Sequence, residues 1–287
     1  MFNRVAIIGV GLIGGSFARA LRRAGAAREI IGVGRTRATL ARAVELGIVD
    51  AATTDVADAL RNCDLVLIAA PVAQTGSILE SLVPHLAPTT IVTDAGSTKC
   101  DVIAAARRAL GFKVSQFVPG HPIAGREVNG PDAALSDLYD GKRVLLTPLP
   151  ENDAATVASV RAAWEACGAR VDAIAPDRHD AVLAAVSHLP HVLAYALVAQ
   201  IAEAADSALK FDLAGGGFRD FTRIAASSPE MWRDIALANR AALLSELDDY
   251  RARLDALSAA IADSDGVALE RLFRLASQAR LNWKAGE

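Results

Sequence analysis

The sequence predicts an α/β fold, a doubly wound parallel sheet over residues 1–175 followed by an all-α domain over residues 176–287. Three observations predict it. Short apolar, β-branched runs alternate with segments of helical period through the first part of the chain. Strand-like runs stop near Ala175, where alanine-rich helical periodicity takes over. A glycine cluster, Gly9-Val10-Gly11-Leu12-Ile13-Gly14-Gly15-Ser16, stands between the first strand and the first helix. At 287 residues the chain has room for two domains, each typically of ~100–200 residues.

The first strand is Val5-Ala6-Ile7-Ile8, four apolar residues that suit burial on both faces. In the cluster after it, Gly9 permits a tight turn, Gly11 lets the backbone approach a pyrophosphate, and Gly14 lets the helix pack on the strand. Free N–H groups at the helix start, from Leu12 and Ile13 onward, then face the phosphates, as in a Rossmann-type dinucleotide site. The second strand, residues 29–33, ends at Gly34-Arg35-Thr36. An acidic residue ~20 positions past the glycines bonds the ribose 2′-hydroxyl of NAD, whereas a nearby Arg accommodates the 2′-phosphate of NADP. Gly34 beside Arg35 and Thr36 therefore favours NADP, or dual use, over strict NAD.

A helix over 36–46 ends at Gly47, and a short strand follows near 48–51. The runs 64–70 and 90–94 are further strands, separated by a helix whose apolar face is Ile78, Leu79, Leu82, Val83 and Leu86. Ligands collect beyond the carboxyl ends of such strands, which draws attention to Ala70-Pro71 and to Asp94-Ala95-Gly96-Ser97-Thr98-Lys99. Strands at 116–118, 143–147 and 170–174, with a helix over 153–167, complete the sheet.

Beyond Pro176, Val182, Val186, Leu189, Leu193, Leu197 and Ile201 mark the buried face of one helix, which Pro190 should kink. Ser228 and Pro229 form a helix start. The face from Leu243 through Tyr250 to Ile261 carries that helix to Ala262, with a break near Asn239 as the alternative. An unbroken helix of ~50 Å, at 1.5 Å per residue, exceeds what a domain of ~110 residues can cover, so a homodimer is expected. Leu269, Leu272, Phe273 and Ala276 mark the last helix.

Charge and cysteine usage narrow the class. Thirty basic residues balance 33 acidic ones without a basic block, which argues against nucleic acid or an anionic membrane as partner. The three cysteines, Cys63, Cys100 and Cys167, stand far apart and suit a reducing compartment. With neither a charged leader before the first strand nor an apolar span of ~20 residues evident, a cytoplasmic enzyme acting on a small molecule is expected.

Four polar clusters have no evident structural job: Asp94 to Lys99; Gly120-His121-Pro122-Ile123-Ala124-Gly125-Arg126-Glu127; Ser187-His188-Leu189-Pro190-His191; and Gly215-Gly216-Gly217-Phe218-Arg219-Asp220-Phe221-Thr222-Arg223. His188 and His191 share a helix face, but no further His or Cys clusters with them, so no metal is expected. Composition and spacing alone stop at a nicotinamide-dependent dehydrogenase with a helical second domain.

Together with the glycine cluster, and in this order along the chain, these motifs resemble the prephenate and arogenate (cyclohexadienyl) dehydrogenase family of tyrosine biosynthesis. The resemblance covers nearly the whole chain. It implies oxidative decarboxylation of prephenate to 4-hydroxyphenylpyruvate, or of arogenate to tyrosine, with hydride passed to NAD or NADP. It places His121 on the family's catalytic histidine and Ser97 on a hydroxyl near substrate and nicotinamide. It places His191 on a substrate-site histidine, Arg223 on the arginine that binds the ring carboxylate, and Glu127 and Trp232 on pocket positions. Gly34 departs from the acidic residue of NAD-specific members. No chorismate mutase or ACT segment, present in some relatives, is expected. Two alternatives stay open: a β-hydroxyacid dehydrogenase or imine reductase, which would not need the His121 motif, and a non-catalytic dinucleotide-binding redox sensor.

Overall fold

The computed structural model describes residues 1–126 and 128–283, which form two compact units, Met1–Asn239 and a second that begins at Arg240. Six strands make the main sheet of the first unit: β1 (Phe2–Ile8), β2 (Ala27–Val33), β3 (Ala51–Thr53), β4 (Leu65–Ile68), β5 (Ile91–Asp94) and β6 (Phe117–Val118). Their order is β3-β2-β1-β4-β5-β6 and every pairing is parallel. Alternate residues feed two apolar clusters, Val5, Ile7, Leu65 and Leu67 on one side and Ala6, Ile8, Val66 and Ile68 on the other. This period of two, apolar on both faces, is why these runs are strands between helical layers. Strand order reverses between β1 and β4, so a cleft opens beyond their carboxyl ends.

The expected strands near 143 and 170 form, but they do not extend the parallel sheet. They are β8 (Arg143–Leu146) and β9 (Arg170–Ala173) of a separate three-stranded sheet, with β7 (Gly120–Pro122) antiparallel to β8 and β9 parallel to it. Pro119, which has no N–H to donate, ends the first ladder at Val118. The chain then passes directly into β7, which carries His121. A strand made of Gly, His and Pro has no periodic signature.

Three expectations for the helical segments are corrected. First, the helix Pro176–Leu183 passes through a π-helical turn, Ala184–His188, before Leu189–Ala202 continues it. The distortion therefore precedes Pro190, where the missing N–H and the ring's clash with the preceding turn are absorbed by the wider turn. Its buried residues are His179, Asp180, Leu183, Ala184, His188, Leu189 and Ala194, so Leu189 of the expected apolar face is buried while Val186 is 67% exposed. Second, the helix that starts at Pro229 ends at Ala238, and a new one runs over Arg240–Ala262. The break falls at Asn239, whose buried side chain donates to the Asp180 carbonyl at 2.8 Å, a bond that fixes it outside helical geometry. Third, Pro176–Ala202 is long and apolar enough to cross a bilayer by length and composition, with a mean hydropathy of 1.7, contrary to the expectation of no such span. His179, Asp180 and His188 of this helix are buried and tied to polar partners inside the first unit.

In the second unit, Arg240–Ala262 and Gly266–Asn282 form a helical hairpin. It turns at Ser264, with φ of 54°, and Asp265 caps the second helix by accepting from Ala268 N at 2.9 Å. Val267, Leu275 and Leu281 of that helix are exposed in the single chain.

Candidate active site and coenzyme cleft

The glycine turn is built for a closely approaching ligand. Gly9 has φ of +98°, and a Cβ there would come within 2.5 Å of the Ala69 carbonyl oxygen. A Cβ on Gly14 would meet the Gly9 carbonyl oxygen at 2.2 Å, so turn, helix and β4 pack at glycine distance. Gly11, by contrast, faces open space. The helix Leu12–Arg23 starts there without a side-chain cap and without an acidic residue in its first turn. Uncapped N–H groups beside open space are what a pyrophosphate requires, so these residues fit a dinucleotide.

Two adjoining cavities flank this turn, sharing Gly11, Ala69, Ala70, Pro71, Asn129 and Gly130. The larger, about 860 Å³, is lined by Gly9, Arg35, Thr36, Thr39 and Thr54. No carboxylate is among its described lining residues. The smaller, about 400 Å³, is lined by Leu12, Ile13, Ser97, His121, Arg126 and Met231 among others. All the sequence-predicted coenzyme residues except Gly14, which packs beneath the turn, thus face one or both cavities, and Ser97 and His121 face the second.

His121 is 9% exposed and is held from behind by a hydrogen-bonded chain. Its Nδ1 lies 2.9 Å from Nε2 of His179, whose Nδ1 lies 2.8 Å from Oδ1 of Asp180. The Asp180 carboxylate also accepts from the backbone N–H groups of Lys99 and Cys100, each at 2.8 Å, at the start of the helix Cys100–Leu110. The network assigns the tautomers: an ionised Asp180 accepts from His179 Nδ1–H, so His179 Nε2 accepts from His121 Nδ1–H. His121 Nε2 is left with its lone pair. Burial, and secondarily the neighbouring His179, push the His121 imidazole well below its ordinary value of 6.5, so it is neutral near pH 7. Burial also pushes the Asp180 carboxyl up, but hydrogen bonds from His179, Cys100 and Lys99 outweigh it and bring the group below its ordinary range.

A buried ion pair fixes the strand that carries His121. Lys99 Nζ lies 2.5 Å from Asp94 Oδ2 and donates to the Gly120 carbonyl at 2.7 Å. Asp94 Oδ1 accepts from Gly120 N at 3.1 Å, and Oδ2 from Gly96 N at 2.8 Å. Both backbone groups of the residue before His121 are therefore clamped to the end of β5.

The other predicted substrate residues stand apart from this cavity. His191 stacks on Trp232 with ring centroids 3.5 Å apart, and its Nδ1 approaches the Ser187 carbonyl at 2.8 Å. Arg223 is exposed in the turn Arg223–Ala226. None of the three lines the cavity with Ser97 and His121, although Ser228, Met231 and Ile235, near Trp232 in sequence, do. Glu127 lies outside the described residues. Trp232 also packs edge-on against His188, 6.0 Å away, and His188 Nδ1 lies 3.1 Å from Asn239 Nδ2, which donates to the Asp180 carbonyl.

The sequence reading missed His179, Asp180 and Asn239. A signal existed for His179: it lies three residues before Val182, on the stripe read as apolar, and a polar residue on a buried stripe demands a partner.

The family description for the prephenate dehydrogenase nucleotide-binding domain matches residues 17–173, and that for the prephenate dehydrogenase dimerization domain matches residues 175–275. The chain belongs to the prephenate dehydrogenase family. Among relatives in this family, the cyclohexadienyl dehydrogenase of Zymomonas mobilis is 39% identical over 286 residues, covering 99% of this chain and 97% of the relative. The crystal structure of prephenate dehydrogenase from A. aeolicus in complex with hydroxyphenyl propionate and NAD+ superposes with a TM-score of 0.90 at 37% identity, covering 98% of each chain. Synechocystis arogenate dehydrogenase superposes at 0.81 with 34% identity, covering 96% of this chain and 98% of the other. Family membership thus decides for the dehydrogenase over the β-hydroxyacid dehydrogenase, imine reductase and sensor readings.

Proposed function

We propose that this chain oxidatively decarboxylates prephenate to 4-hydroxyphenylpyruvate, with arogenate as the alternative substrate of the same site. The observation that carries the reading is the buried chain His121–His179–Asp180, which aims a neutral imidazole at a cavity continuous with a dinucleotide cradle. The oxidised nicotinamide, when bound, supplies the hydride acceptor. His121 Nε2 takes the proton from the ring hydroxyl as hydride leaves the same carbon, a role for which neutral imidazole is suited. Ser97, in the same cavity, hydrogen-bonds that hydroxyl. The bond to the ring carboxylate then breaks, carbon dioxide departs, and the electron pair makes the ring aromatic. The phenolate oxygen recovers the proton from His121, so the base ends the cycle as it began. The family resemblance assigns Arg223 to the ring carboxylate, through a bidentate contact, and the stacked His191 and Trp232 to the substrate end of the site, although none of the three lines this cavity.

For the coenzyme, the absence of a carboxylate among the described residues lining the larger cavity, together with Arg35 and the hydroxyls of Thr36, Thr39 and Thr54, supports NADP at least as well as NAD. A homodimer through the carboxyl-terminal helices is supported by the dimerization-domain match and by the exposed apolar residues of Gly266–Asn282. Absorbance of reduced nicotinamide, followed with prephenate and arogenate against NAD and NADP and with 3-hydroxyisobutyrate as control, tests the reading. Turnover of 3-hydroxyisobutyrate alone, or coenzyme binding without turnover of any of the three, would refute it.

A further inference from the structure

Arg126 is the one permanently charged side chain among the described residues that line the cavity with Ser97 and His121, and no hydrogen bond or ion pair engages it among the described residues. The substrate proposed above is a dianion, and this inference rests on that reading. Its ring carboxylate and its side chain share one ring carbon, opposite the carbon that bears the hydroxyl. With the hydroxyl on His121, both anionic groups point to the far end of the ring, into a cavity whose fixed positive charge is Arg126.

The two carboxylates have different fates. One, assigned above to Arg223, leaves as neutral carbon dioxide. The side-chain carboxylate keeps its charge throughout, so a guanidinium can hold it equally in ground state and transition state. We propose that Arg126 binds the side-chain carboxylate and thereby selects the side chain. Beside that carboxylate prephenate carries a keto oxygen, which accepts hydrogen bonds, whereas arogenate carries an ammonium group. A five-donor guanidinium offers the keto acid further donors and repels the amino acid. Two unit charges ~5 Å apart repel enough to change a ratio of kcat/KM by ~4-fold at an effective dielectric of ~80 and by ~10²-fold at ~20. Arg126 thus makes the enzyme prefer the keto acid.

The test is steady-state kinetics of the full-length wild type, Arg126→Gln and Arg126→Lys with prephenate and arogenate at saturating coenzyme, and with coenzyme varied at saturating substrate. The wild type should favour prephenate, and Arg126→Gln should lower the prephenate-to-arogenate ratio of kcat/KM by ~4-fold or more, mainly through a higher KM for prephenate. Arg126→Lys, which keeps the charge, should hold the ratio closer to wild type. An unchanged ratio in Arg126→Gln, or a loss seen in the coenzyme KM instead, overturns the assignment of Arg126 and leaves the reaction standing. A wild type that prefers arogenate also overturns the assignment. A wild type that turns over neither compound overturns the reaction and this inference together.

Discussion

Replacing His179 by Phe removes the ring nitrogens behind His121, the proposed base, while keeping a planar ring of similar size in a fully buried position. His121 Nδ1–H then loses an acceptor at 2.9 Å inside the protein. A buried donor left unmade costs ~1–3 kcal/mol, which at ~1.4 kcal/mol per factor of ten is a ~5- to 150-fold loss of the orientation that presents Nε2 to the cavity. We expect kcat to fall within that range with little change in substrate KM, because His179 does not line the cavity. His121→Asn, which cannot take the proton, should lose ~10²–10⁴-fold. The double variant should be little worse than His121→Asn alone, since His179 acts only through His121. The pH profile separates this from a merely structural effect. The base works unprotonated, so kcat/KM is full above the pKa of His121 and falls tenfold per unit below it. Burial places that limb below the ordinary histidine value of 6.5, lower than an unperturbed imidazole would give. The limb should vanish in His121→Asn and shift in His179→Phe. A limb that persists unchanged in His121→Asn, or a double variant whose loss equals the product of the single losses, would refute the chain.

Further predictions follow from the same geometry. His188 is held to about 4, chiefly by burial, so its neutral form stabilises the fold fully above the unfolded value of 6.5, and that contribution is lost as pH falls from 6.5 toward 4; Tm should drop across that window, and His188→Gln should flatten the drop. Gly34→Asp would place a Cβ 3.2 Å from Leu40 Cδ2, a contact relieved by a small shift, and its carboxylate should raise the KM for NADP ~10-fold or more while that for NAD falls. Arg35→Ala should raise the KM for NADP far more than that for NAD, and equal effects would remove Arg35 from the 2′-phosphate site. Sedimentation should show a dimer at micromolar concentration, and a stable monomer would contradict the proposed assembly.

What the sequence made legible, and what it did not, divides along the range of the interactions involved. The glycine turn, the parallel strands and the Ser228 cap are local patterns: φ > 0 at Gly9, period-two burial in β1 and β4, and a side chain bonded to the Met231 N–H three residues on. Each could be read from a window of a few residues. His121 was visible because glycine and proline around a lone histidine have no packing purpose. Its support was invisible for the opposite reason. His179 and Asp180 lie 58 and 59 residues further on, in a stretch whose apolar spacing reads as an ordinary core helix, and only the tertiary fold brings their ring and carboxylate behind β7. The same long-range demand explains the failed readings of that region. Asp180 must reach the start of Cys100–Leu110, His179 must reach β7, and His188 and Asn239 must satisfy each other. These contacts rotate His179, Asp180 and His188 inward, leave Val186 outside and stop a helix at Asn239. A helix period counts apolar residues and assumes they face the core. Here the buried face is set by hydrogen bonds to His121, to the start of Cys100–Leu110 and to Asn239, so the segment that departs furthest from its hydrophobic pattern is the one that holds His121 in place.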